Sequence, residues 1–67
     1  MLFSVVICSY NRLDHLLASV DSALKQTLST DSYEVIVVDN ASTDGTAEAI
    51  QALVKRNANL RYIYETR

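Results

Sequence analysis

The chain has 67 residues, 49% of them hydrophobic, with one glycine, no proline and a formal net charge of −2. That length allows one small domain, which at this size buries only about 60% of its unfolded surface and folds with a narrow margin. The apolar content excludes disorder, and six basic residues scattered along the sequence make no patch for phosphate counterion release, which excludes nucleic acid as a partner.

Met1 to Cys8 is apolar but lacks a basic leader and is too short for a membrane span, so we expect neither a signal peptide nor a transmembrane segment. Cys8 has no second cysteine to pair with and reads as a small buried hydrophobe in a reducing, cytoplasmic setting. Phe3 to Cys8 is a short β-branched run that suits a strand buried on both faces. From Leu13 the apolar residues Leu13, Leu16, Leu17, Val20 and Leu24 trace the stripe of an amphipathic helix. Asn11 is placed to cap it, Asp14 to support the first turn and Lys25 the last.

Gln26 to Ser32 reads as a polar connection, after which Tyr33 to Val38 repeats the buried-strand pattern. Ser42, Thr43 and Asp44 are all helix-capping types, Gly45 and Thr46 open a second helix, and Ala47, Ile50, Leu53 and Val54 give it an apolar stripe. Asn57 to Asn59 ends that helix, and Leu60 to Tyr64 alternates as a third strand would. The expected order is β-α-β-α-β with a parallel sheet.

Right-handed crossovers laid down in succession put both helices on one sheet face. The other face is then bare, although Val6 and Cys8 on the first strand and their neighbours on the second point that way. Parallel sheets are rarely left open to water. We therefore expect an incomplete domain continued by further protein, or a homodimer that pairs sheet to sheet through this face.

Ser9, Tyr10 and Arg12 leave the carboxyl end of the first strand, and Asp39 leaves the carboxyl end of the second, where ligands bind in open α/β sheets. A carboxylate there suits an imide N–H such as that of uracil, an aromatic ring suits a base face, and an arginine suits phosphate. Cytosine has no equivalent donor. A single glycine cannot build G-x-G-x-x-G or a Walker loop, which excludes the NAD and P-loop readings. His15 has no partners at metal-ligand spacing, and Tyr62 and Tyr64 read as a packing pair on the last strand.

Through Val5-Val6-Ile7-Cys8-Ser9-Tyr10-Asn11-Arg12 and Val37-Val38-Asp39-Asn40-Ala41-Ser42-Thr43-Asp44-Gly45-Thr46, the chain resembles the N-terminal part of the family 2 glycosyltransferases. The resemblance covers nearly the whole sequence. It implies an α/β fold, the three-stranded, Rossmann-like half of a GT-A domain. It also implies binding of a nucleotide-diphosphate sugar, a UDP-sugar being favoured, and transfer of that sugar to an acceptor. Ser9, Tyr10, Arg12 and Asp39 would line the nucleotide site, with Asp39 facing the base.

The family often has proline where Cys8 stands. No Asp-x-Asp metal motif and no catalytic base match the family pattern within the 67 residues. The divalent metal, Mn or Mg, is therefore expected of the complete enzyme only, and this portion is expected to be inactive alone. The alternative is a small receiver-like or interaction module, for which the acidic cluster wanted at the end of the first strand is missing.

Overall fold

Two runs of β-branched residues and one alternating run pair side by side in the computed structural model, which describes residues 3–25 and 31–66. The order is β1 (Phe3–Ser9), α1 (Leu13–Leu24), β2 (Tyr33–Asp39), α2 (Thr46–Val54) and β3 (Leu60–Tyr64). The strands form a parallel sheet in the order β1-β2-β3, as simple succession requires. Most of the expected connection, residues 26–30, lies outside the described residues.

Register decides which side chains share a face. Val5 pairs with Val35 and Ile7 with Val37, while Val35 pairs with Leu60 and Val37 with Tyr62. With a two-residue repeat, these positions all turn to the side that the helices cover. Leu16, Val20 and Ala23 of α1 and Ile50 of α2 meet Tyr33, Val35, Val37 and Leu60 there in one core. The Tyr33 ring stacks on Phe3 at 5.8 Å, and its hydroxyl donates to the Leu24 carbonyl at 3.3 Å, tying the end of α1 to β2.

The opposite face carries no helix among the described residues. Its amino-terminal end is polar, where the Ser4 hydroxyl donates to Glu34 at 2.7 Å and Arg61 stands 3.6 Å from the same carboxylate. Toward the strand ends it turns apolar, with Val6 58% and Ile63 41% exposed. Cys8 is exposed here as well, which corrects the expectation of a buried cysteine. Position 8 pairs with Val38 on the uncovered side, so its side chain has no layer to enter.

The expected caps are also corrected. Arg12, not Asn11, holds the cap position of α1, and neither helix has a capping hydrogen bond from its own cap residue. Asn11 sits in the left-handed region at φ +47°, a conformation that asparagine tolerates better than most residues. At α2 the cap position falls to Gly45, whose φ of +86° suits the residue without a Cβ.

Candidate nucleotide site at the carboxyl edge of the sheet

β1 ends at Ser9 and β2 at Asp39, and these two residues are register partners. Neighbouring strands lie about 4.8 Å apart, so the loops Tyr10–Arg12 and Asn40–Gly45 leave the sheet side by side. The Asn40 amide donates to the Ser9 carbonyl at 2.8 Å and prolongs the ladder by one bond. Beyond it, side chains take over. The Asn11 amide donates to Ser42 Oγ at 2.8 Å, the Thr43 amide donates to Asn11 Oδ1 at 2.7 Å, and the Leu13 amide donates to Asp44 Oδ2 at 3.1 Å.

Asp44 therefore satisfies a first-turn amide of α1 across the gap between loops, while its other oxygen accepts from the Thr46 hydroxyl at 2.5 Å. One carboxylate serves the starts of both helices, where an anion also complements the helix dipoles. The Thr46 hydroxyl bond is the main cause holding the Asp44 carboxyl below its ordinary value, helped by backbone amides of the two helix starts and opposed by partial desolvation.

Asp39 is fully buried. Its Oδ1 accepts from the Ser42 amide at 3.0 Å and its Oδ2 from the Tyr62 hydroxyl at 2.6 Å. Its backbone carbonyl accepts from the amides of Ala41 and Glu65. Burial is the first cause pushing the Tyr62 phenol well above its ordinary value, and the hydrogen bond to Asp39 and that residue's charge push it the same way.

Ser9, Tyr10 and Arg12 line one shallow cleft with His15 and Ser19, between the end of β1 and the first turns of α1. Tyr10 is 60% exposed and Arg12 is exposed, whereas the buried Ser9 hydroxyl has no hydrogen-bond partner among the described residues. Three of the four expected site residues thus share a cleft. Asp39 stands one strand over, beneath its loop. Sequence reasoning missed the Tyr62–Asp39 bond and the use of Asp44 on α1; strand alternation, which puts Tyr62 on the same face as Asp39, was the available signal for the first.

No group of three or more His, Cys, Asp or Glu side chains is gathered for a metal ion among the described residues, and no described helix is long and apolar enough to cross a membrane.

The architecture is that of the Rossmann-like, N-terminal part of GT-A glycosyltransferase domains. It superimposes with a TM-score of 0.84 and 31% identity on the mannosyltransferase PcManGT of Pyrobaculum calidifontis, solved in complex with GDP-Man and Mn2+, covering 97% of this chain and 19% of that one. Residues 4–67 match the model of glycosyl transferase family 2, and the chain belongs to that family. The poly(ribitol-phosphate) beta-glucosyltransferase of Bacillus spizizenii is 35% identical over 66 residues, 98% of this chain and 10% of that protein. The Escherichia coli UDP-Glc:alpha-D-GlcNAc-diphosphoundecaprenol beta-1,3-glucosyltransferase WfaP is 40% identical over 52 residues, 78% of this chain and 20% of that protein. The chain therefore spans a quarter or less of these relatives' lengths, and the receiver-like alternative is set aside.

Proposed function

We propose that this chain is the nucleotide-recognition portion of a glycosyltransferase, binding a nucleotide-diphosphate sugar at the carboxyl edge of its sheet. The observation that carries the reading is the register of Ser9 with Asp39, by which two strand ends and two helix starts converge on one rim. In this reading the Tyr10 ring stacks on the base and Ser9 gives its unpartnered hydroxyl to the nucleotide. Arg12 faces the diphosphate, and Asp39 accepts the imide N–H of the base.

Uracil is favoured. Guanine also presents an imide-type N–H, in keeping with the GDP-Man of the Pyrobaculum enzyme, but the relative with UDP-Glc in its name is the more identical of the two. A divalent metal, Mn or Mg, belongs to the complete enzyme, where it would neutralise the diphosphate leaving group. The described residues gather no group of three or more His, Cys, Asp or Glu side chains for it.

Two further parts of the proposal concern surroundings. The apolar half of the open sheet face, with Val6, Cys8 and Ile63, supports self-association as a homodimer. A single free thiol on that face fits a reducing, cytoplasmic compartment. Sedimentation at rising concentration tests the first, a monomer throughout being the contrary result.

Calorimetric titration with UDP and with CDP tests the site. UDP is expected to bind and CDP to bind at least several-fold more weakly, with Arg12→Ala weakening UDP by roughly tenfold, as loss of a charge-assisted contact would. Equal affinity for the two nucleotides would refute the assignment of the base contact.

A further inference from the structure

A base can use the Asp39 carboxylate only if it can reach it. An ionised carboxylate has about four acceptor positions, but Asp39 has no exposed surface and each oxygen already holds one donor. Acceptor positions remain free, so it is burial that closes the carboxylate off, and an incoming N–H reaches it by moving one of the two groups bonded there, the Ser42 amide or the Tyr62 hydroxyl. The Ser42 amide lies in a loop that is itself held by the bonds of Ser42 Oγ and the Thr43 amide to Asn11. Moving it breaks several bonds at once. The Tyr62 hydroxyl is a single bond on a half-buried side chain, and a turn of that side chain returns the hydroxyl to water.

We propose that Tyr62 is a positioning residue that keeps the Asp39 carboxylate latched inward in the empty site, and that the imide N–H of the bound base takes the place of its hydroxyl on Oδ2. This inference rests on the reading of Asp39 as the base acceptor. The exchange conserves the number of donors on the carboxylate, since Oδ1 stays with Ser42 while Oδ2 passes from phenol to base. The cost of opening the latch falls only on bases with an N–H at that position, because a base with an acceptor there leaves the phenol on the carboxylate. Burial and the Asp39 charge keep the phenol protonated, so the donor is present across the neutral range.

The test is a calorimetric titration of the full chain with UDP and CDP, for the parent, Tyr62→Phe and Asp39→Ala, alongside the Tyr62 13Cζ resonance in tyrosine-labelled protein. Tyr62→Phe keeps the ring and removes the competing donor. It is expected to bind UDP roughly ten- to a hundredfold more tightly, the worth of one hydrogen bond to a charged group, with CDP unchanged. Damage to packing cannot produce a gain confined to one base. In the parent, UDP is expected to shift the Tyr62 resonance as its hydroxyl leaves the carboxylate.

If UDP affinity is unchanged or lower in Tyr62→Phe while Asp39→Ala abolishes it, the latch is wrong and the base contact stands. If Asp39→Ala binds UDP as the parent does, the base contact is wrong and the latch falls with it, as it also does if neither the parent nor Tyr62→Phe binds at millimolar UDP. Binding by Tyr62→Phe alone would support the latch strongly.

Discussion

Asn11 offers the sharpest test of how the two rim loops are joined. If it were an ordinary helix cap, Asn11→Ser would be close to neutral, because serine and asparagine cap about equally well. In the observed arrangement Asn11 has φ +47° and its Oδ1 accepts from the Thr43 amide of the neighbouring loop. Serine is one atom too short for that bond and is strained in the left-handed region. Losing the bond costs about 0.5–1 kcal/mol at an exposed position, and the backbone conformation adds about 1 kcal/mol for an ordinary L-residue, giving roughly 2 kcal/mol in all. Asn11→Gly keeps the conformation but loses the bond, about 0.5–1 kcal/mol, and adds about 0.5–1 kcal/mol for a more flexible unfolded chain, giving roughly 1.5 kcal/mol.

Against a total stability of about 3–10 kcal/mol for a chain this long, both losses are measurable. At about 4–8 °C per kcal/mol for a domain of this size, thermal unfolding followed by circular dichroism should show Asn11→Ser melting roughly 8–16 °C below the parent. The glycine variant should melt between the two, roughly 6–12 °C below the parent. A serine variant within about 2 °C of the parent, or one more stable than the glycine variant, would refute the cross-loop assignment.

Three other outcomes follow from the same geometry. Ala41 holds φ +57° without being glycine, so Ala41→Gly should exchange about 1–2 kcal/mol of strain for 0.5–1 kcal/mol of chain entropy and raise the melting temperature by a few degrees. A lower melting temperature would contradict this. Ile50 is fully buried in the core, and Ile50→Ala should cost about 2–5 kcal/mol by chemical denaturation; a loss under about 1 kcal/mol would show the site to be looser than described. The Asp44 carboxyl is held below its ordinary value of 3.8. A depressed folded value means the carboxylate stabilises the fold above about pH 4, and that this contribution disappears as pH falls through the folded value. Asp44→Asn should flatten that part of the stability–pH curve, and an unchanged slope would count against the shared cap.

The elements were legible because each carries its own period. Phe3 to Cys8 and Tyr33 to Val38 are continuous apolar runs, and Leu13 to Leu24 repeats at helical spacing, so local chemistry and tertiary role agree. The strand ends bearing Ser9 and Asp39 were legible for the same reason. What the sequence concealed lies between elements. Ser42, Thr43 and Asp44 look like caps for the helix they precede, yet Ser42 and Asp44 bond to Asn11 and Leu13 some 31 residues earlier, contacts created by the parallel register alone. Cys8 looked buried because its run is apolar, but its exposure depends on which face receives a layer. The Tyr62–Asp39 bond combines register, a two-residue alternation and the reach of a phenol, and no single segment signals it.

Nucleotide binding at the rim through Asp39 is decided by the UDP affinity of the parent chain against Asp39→Ala, each first shown to be folded by circular dichroism. Saturable UDP binding by the parent is expected, with its loss on removal of the carboxylate. UDP binding of equal strength in a folded Asp39→Ala variant would contradict it.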